Sequence, residues 1–190
     1  MMEELLKQQL LILLNNIFLD TPIEFLENEV FAYGVRNYMA KYSLQNSDYG
    51  VSETALEYIN VHNLMNQNGS LLRRTKVNHE IKYEHVIPMK VLFDYLKAVK
   101  VSGTYTYELL NEMMNVANKV FILTNQENFS LNRINHNGEI YPFSLSKRMP
   151  IDHDNLETFW HNENQLYSRY ISRNIQISHQ LITMHGAIYR

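Results

Sequence analysis

The sequence is poor in the residues that build disulfide scaffolds, phosphate loops and tight turns. Its 190 residues include no cysteine, four prolines and six glycines. Without cysteine there can be no disulfide bond and no zinc site made of thiolates. The sequence also has no glycine-rich phosphate loop and no Gly-x-Ser-x-Gly motif, so nucleotide-driven and acyl-transfer chemistry have no support in it. The candidate functional residues are therefore histidine, carboxylate and amide side chains.

An excess of positive charge is also lacking. The formal net charge is −3, whereas a protein that binds nucleic acid usually carries a basic footprint. The basic residues nevertheless form local groups before and after the central part of the chain. We predict that two of these groups contact DNA phosphates, namely Arg73, Arg74 and Lys76, and then Lys147 and Arg148.

No long uninterrupted hydrophobic run is present. The stretch from Leu5 to Leu19 is rich in leucine, but Glu3 and Glu4 precede it, and glutamine and asparagine interrupt it. A secretion signal has a basic start and a small-residue cleavage site instead. We interpret the stretch as an amphipathic helix and expect a cytoplasmic protein. With 45% hydrophobic and 19% charged residues, the chain is expected to fold around one core.

An acidic residue and a histidine stand side by side at the end of a strand-like segment. Residues 81–87 alternate between two sets of side chains, which is the pattern of a half-buried strand. Glu84 and His85 lie near the end of this run, and Pro88 stops it because proline cannot donate to a sheet. Neighbouring side chains on a regular strand point apart, so these two can serve one site only where the strand frays.

A second strand leads directly into a helix. The apolar run from Val120 to Leu123 predicts the strand, and Thr124 with Glu127 forms a Thr-x-x-Glu capping box that predicts the start of the helix. Asn128 falls in the first turns of this helix, and Asn132 lies one turn later on the same face.

The Glu-His pair has a chemical and a structural interpretation. A neutral imidazole can take a proton from water at neutral pH, and an adjacent carboxylate can hold the cation that stabilises a phosphodiester during hydrolysis. In the structural interpretation, His85 is a partly buried strand residue and Glu84 faces solvent. For an arbitrary Glu-His pair, the structural interpretation is favoured.

These segments together resemble the HNH nuclease family. The resemblance is carried by the Glu-His-x-x-Pro motif that begins at Glu84, by Asn118 before the second strand and by Asn128 on the helix. A later Lys-x-Met-Pro segment at 147–150 extends a likeness to bacterial HNH-type proteins over about residues 80–150.

The resemblance implies a role for each residue. His85 would be the general base, and Asn118 would orient it or brace its loop. Glu84 and Asn128 would bind one divalent metal, with Asn132 as the alternative to Asn128. The resemblance and the hard oxygen donors imply Mg²⁺, with Mn²⁺ or Zn²⁺ as alternatives.

The predicted fold class is α+β, predominantly helical with a small ββα-metal core. We predict a helical N-terminal segment at 1–70, an HNH-like core with a helical insertion at 71–150, and a helical C-terminal extension at 151–190, forming one compact unit. The resemblance implies a metal-dependent endonuclease of restriction or phage type that acts on double-stranded DNA, with a homodimer as an option. The alternatives are an inactive HNH-like protein that binds nucleic acid or inhibits a partner, and an interaction protein that dimerises through residues 3–19.

The remaining elements follow from capping and breaker residues. We predict helices at 22–42, 52–65, 89–100, 106–118 and 155–172, turns at 45–50 and 135–138, and a loop at 146–154.

Overall fold

The fold was analysed in a computed structural model, which describes residues 2–44, 48–66, 70–71, 80–132, 160–171 and 173–183. Within this part the chain is mostly helical and has a small sheet, which confirms the predicted α+β class. None of its helices is both long enough and apolar enough to cross a membrane.

Along the chain, the helices of this part come before, between and after the strands. They are α1 (Met2–Asp20), α2 (Ile23–Glu27), α3 (Glu29–Ser43), α4 (Glu53–Val61), α5 (Met89–Val101), α6 (Tyr107–Val116), α7 (Asn125–Asn132), α8 (Glu163–Leu166) and α9 (Ser168–Ile171). The strands are β1 (Asp48–Val51), β2 (Ile81–His85), β3 (Val120–Thr124) and β4 (Ile182–Thr183).

The sheet has the strand order β2-β3-β1-β4. Strand β2 is antiparallel to β3, β1 is parallel to β3, and β4 is antiparallel to β1. In the β2–β3 pair, Glu84 lies opposite Phe121 and His85 lies opposite Val120. Pairing therefore continues through both motif residues, and their side chains leave opposite faces of the sheet.

Each face of β3 is covered by its own hydrophobic cluster. Phe121 and Leu123 belong to a large cluster built mostly from helices, whereas Val120 and Ile122 belong to a smaller cluster beneath α4. Because residues directly opposite each other in a sheet share a face, Glu84 lies on the side of the large cluster and His85 on the side of the small one.

The large cluster forms because apolar residues recur at helical spacing. On α5, Leu92 and Leu96 are fully buried four residues apart, as helical periodicity predicts. Phe18 of α1 packs against Phe93 with ring centroids 5.8 Å apart. Burial of such side chains stabilises each by roughly 1.5–3 kcal/mol relative to exposure, which fixes the helices that support the sheet.

The predicted helix at 22–42 is broken into α2 and α3. Asn28 causes the break, because its Oδ1 accepts hydrogen bonds from the backbone nitrogens of Val30 and Phe31, both at 3.1 Å. This caps a new helix at Glu29. The Thr-Pro-Ile-Glu segment at 21–24 has the sequence pattern of a capping box, but Pro22 is the cap residue of α2 and has no side-chain cap hydrogen bond.

Other predictions differ in extent. The helices at 89–100 and 106–118 are confirmed as α5 and α6, while the helix at 52–65 ends earlier, at Val61. The predicted turn at 45–50 overlaps β1, which pairs with β3. Gly50 permits this pairing because a side chain at this position would overlap the Phe121 ring. The helix predicted at 155–172 is two short helices in its described residues, 160–171. The turn at 135–138 and the loop at 146–154 lie outside the described residues.

Candidate active site

Strand β3 passes into α7 without a connecting loop, and the predicted capping box is formed there. Glu127 Oε2 accepts hydrogen bonds from Thr124 N at 2.8 Å and Thr124 Oγ1 at 3.0 Å, and Glu127 N donates to Thr124 Oγ1 at 3.2 Å. The same carboxylate accepts from Ser52 Oγ at 2.7 Å, and Ser52 is the cap residue of α4. The start of α7 is thus fixed both locally and to a neighbouring helix.

Glu84 forms an ion pair with an arginine from the C-terminal part of the chain. Arg169 Nη2 lies 2.9 Å from Glu84 Oε1, and the side chains are 6% and 22% exposed, respectively. Arg169 Nη1 also donates to the carbonyl oxygen of His85 at 3.4 Å. The carboxylate that the sequence assigns to a metal is therefore neutralised by a buried guanidinium.

Aromatic side chains fix α9, and with it Arg169, against the sheet. The ring of Tyr170 lies 5.1 Å from that of Phe121, and the ring of Tyr167 lies 5.8 Å from it. Tyr170 is fully buried, and its hydroxyl has no hydrogen-bond partner among the described residues. Burial raises the pKa of Tyr170, and the nearby charges of Arg169 and Glu84 act on it in opposite directions. The phenol stays neutral and places an unpaired polar atom close to the ion pair.

His85 is held by the C-terminal end of α3. Its Nε2 lies 2.9 Å from Ser43 Oγ, and Ser43 Oγ donates its single hydrogen to the carbonyl oxygen of Ala40 at 2.8 Å. We infer that Nε2 carries the hydrogen in its contact with Ser43, which leaves Nδ1 as the nitrogen with a lone pair.

Burial also determines the charge of His85. It lowers the pKa of His85 to about 4, and the backbone of Ala40 opposes the shift only partly. The imidazole is therefore neutral at pH 7, which a general base requires. Its low pKa also makes it a weaker base than an ordinary histidine.

Asn118 contacts the same end of α3 that holds His85. Its Nδ2 donates to the carbonyl oxygen of Met39 at 2.8 Å and contacts Met114 Sδ at 3.6 Å. The residue is fully buried, and its Oδ1 has no hydrogen-bond partner within the described part of the chain. Asn118 thus stabilises the backbone beside Ala40, and any effect on His85 passes through this helix end.

The two candidate amide ligands lie on α7. Asn128 is partly buried in the middle of the helix and Asn132 is its last residue. Helix α7 packs against both β2 and β3. Oxygen atoms of Glu84 and an asparagine suit a hard cation, but no three histidine, aspartate or glutamate side chains of the described ranges gather as metal ligands.

The side chains of Glu84 and His85, which are adjacent in the motif, therefore contact different parts of the fold. Glu84 is brought to Arg169 on one face of β2, and His85 is brought to Ser43 on the other. The sequence does not predict Arg169 and Ser43 as the partners of Glu84 and His85; its only local signal is an arginine between tyrosines at 167–170. The predicted DNA contacts Arg73, Arg74, Lys76, Lys147 and Arg148 lie outside the described residues.

Comparison of the chain with models of protein families, with curated proteins and with solved structures gives no match in any of the three.

Proposed function

We propose that the protein is an HNH-type endonuclease that hydrolyses phosphodiester bonds of double-stranded DNA with the help of a divalent metal. One observation carries the proposal: Glu84 and His85 end a strand that pairs antiparallel with β3, and β3 continues without a loop into α7, which bears Asn128. This is the order of elements expected for a ββα-metal site.

In the proposed reaction His85 accepts a proton from the attacking water at Nδ1. The hydrogen bond from Nε2 to Ser43 supports this role because it orients the ring and selects the tautomer. The lowered pKa limits the basicity of the free protein. A phosphodiester anion close to the ring would raise the pKa again by favouring the charged imidazolium.

Glu84 and Asn128, with Asn132 as the alternative, are the proposed oxygen donors to the cation. Bound Mg²⁺, Mn²⁺ or Zn²⁺ would supply electrostatic stabilisation of the phosphate and of the leaving oxygen. The proposed role of Asn118 is positioning, since its amide stabilises the helix end against which His85 rests. The basic residues Arg73, Arg74, Lys76, Lys147 and Arg148 remain proposed phosphate contacts.

The proposal is tested by incubating the purified protein with supercoiled plasmid and Mg²⁺. We expect nicked or linear DNA, and no product when EDTA is present. A matched pair of variants makes the test specific: His85→Ala removes the proposed base, whereas His179→Ala removes an exposed histidine from a different segment. Equal cleavage by the wild type and His85→Ala would remove His85 from the mechanism.

A second candidate function is an inactive HNH-like protein that binds nucleic acid or inhibits a partner. It is favoured by the state of both motif residues, because Arg169 neutralises Glu84 and burial lowers the pKa of His85 to about 4. Retention of duplex DNA in a binding assay without cleavage in Mg²⁺, Mn²⁺ or Zn²⁺ would favour this candidate.

We also propose homodimer formation through α1 as a testable option. Leu5, Ile12 and Leu19 are 56%, 48% and 54% exposed and recur every seven residues, as in a helix that packs against another. Light scattering at several protein concentrations measures the mass directly. A monomer at all concentrations, in the wild type and in Ile12→Glu alike, would exclude the dimer.

A further inference from the structure

We propose that Arg169 is a built-in competitor for the metal at Glu84, so that a divalent cation binds there only when the guanidinium gives up the carboxylate. The inference rests on the proposed function, which makes Glu84 a metal ligand. It assigns a role to a residue that the HNH-like motif does not contain.

Arg169 places a positive charge directly beside the Glu84 carboxylate. Arg169 Nη2 is 2.9 Å from Glu84 Oε1, and opposite charges at such a distance attract each other more strongly in a partly buried site than in water. A metal ion bound to the same carboxylate would stand within a few ångströms of the guanidinium. Two cations at this distance in a partly desolvated site repel each other strongly. Metal and arginine are therefore alternative partners of Glu84.

The surrounding residues hold Arg169 in place. Its side chain is only 6% exposed, its Nη1 donates to the His85 carbonyl, and its neighbour Tyr170 is buried against Phe121. The guanidinium therefore cannot simply turn into solvent as a surface arginine does. Loss of its carboxylate would leave a buried charge without compensation, which is strongly unfavourable.

A phosphate group could replace Glu84 as the partner of Arg169. A guanidinium matches a phosphate as well as a carboxylate, because its planar donors can bind two oxygens of either group. A phosphodiester at the site could accept Arg169 while Glu84 turns to the metal. Metal and DNA would then each raise the affinity for the other by the same factor, as linkage requires.

Binding of Mn²⁺ to the full-length, DNA-free protein tests the competition without any use of activity. We expect Arg169→Gln to bind Mn²⁺ at least about tenfold more tightly than the wild type. In the wild type the metal must first displace Arg169 from Glu84, and the variant lacks this cost. The gain should disappear in Glu84→Gln/Arg169→Gln. Arg173→Gln, which changes an arginine four residues later, serves as the control and should leave the affinity unchanged.

Equal Mn²⁺ affinities of the wild type and Arg169→Gln would overturn the inference, and so would a gain that persists without Glu84. A merely structural arginine would lower the melting temperature of Arg169→Gln with no gain in affinity. If Arg169→Gln does not fold, the wild type decides: the ¹⁵N resonance of the Arg169 guanidinium should shift when Mg²⁺ is added, and an unchanged resonance counts against competition.

Failure of this inference is distinguishable from failure of the proposed function. If the wild type cleaves plasmid with Mg²⁺ but Arg169→Gln gains no Mn²⁺ affinity, the proposed nuclease activity is supported and the competition by Arg169 is contradicted. If no cleavage occurs but Arg169→Gln gains Glu84-dependent Mn²⁺ affinity, Arg169 is a competitor at a site that does other work.

Discussion

The two faces of β2 accommodate a polar side chain in different ways. On one face Glu84 is charged and is neutralised by Arg169, which comes from the far end of the described chain. On the other face His85 is neutral and is held by a hydrogen bond to Ser43. Residues that are adjacent in a motif can therefore depend on separate parts of the fold. A shared site requires a ligand or a change of backbone that turns both toward the same point.

The largest expected effect falls on the His85 face. His85→Ala should reduce plasmid cleavage by roughly 10²–10⁴-fold, since this is the usual contribution of a general base. Far-UV circular dichroism should remain that of the wild type, because residue 85 pairs with Val120 in the sheet through its backbone. Initial rates of nicking, with His179→Ala measured in parallel, provide the check.

The next effect concerns the stability of the Glu84 face. Glu84→Gln should lower the free energy of unfolding by about 3–5 kcal/mol, because it leaves the Arg169 charge buried without its partner. Urea titration measures the loss. Glu29→Gln is the matched control: Glu29 pairs with Arg36 at the same 2.9 Å but is 77% exposed, and its removal should cost about 0–1 kcal/mol. Similar losses in the two variants would mean that burial of the pair has little energetic weight.

A third effect depends on pH and belongs to the His85 face. Burial lowers the pKa of His85 from its ordinary value of 6.5 to about 4 in the folded protein. As the pH falls through 6.5 the unfolded chain takes up a proton that the folded protein refuses, so stability declines until about pH 4 and then levels off. The total loss of folding stability due to His85 over this pH range is roughly 3 kcal/mol.

Thermal or urea unfolding between pH 7 and 4 measures this loss. His85→Asn should lack that part of the decline, because it removes the titrating group, while Glu84→Gln should keep it. If the wild type and His85→Asn lose the same stability over this range, the histidine is not buried in its neutral form.

The smallest expected effect tests whether Asn118 influences the pKa of His85. Asn118→Ala removes the buried side-chain donor that lies 2.8 Å from the carbonyl of Met39, which should cost about 1–3 kcal/mol. The loosened end of α3 should admit water, and the pKa of His85 should rise toward its ordinary value. Histidine proton resonances followed through a pH titration report this pKa, and an unchanged value would separate Asn118 from His85.

The sequence predicted those elements whose signals are local. The alternation around Glu84, the apolar run of β3 and the Thr124 capping box each lie within a few residues, and each formed as expected. The helix break at Asn28 also has a local cause, but a continuous apolar pattern on both sides concealed it. Strands β1 and β4 could not be recognised in the same way, because such short strands are defined by their neighbours rather than by their own residues.

The candidate site was predictable only in part for the same reason. The identities of Glu84, His85 and Asn118 could be selected from the sequence, but their partners Arg169, Ser43 and Met39 are distant along the chain. A pKa or an ion pair depends on such partners, and no local pattern encodes them. The nuclease assignment itself stays a prediction until cleavage is measured.

The carboxylate of Glu127 has a consequence for the order in which the protein assembles. It accepts hydrogen bonds from Thr124, at the start of its own helix, and from Ser52, at the start of α4. The Ser52 bond can form only after β1 has reached its place beside β3. We therefore expect α7 to nucleate early and the Ser52 contact to form late. In that case Ser52→Ala should accelerate unfolding and leave the folding rate nearly unchanged.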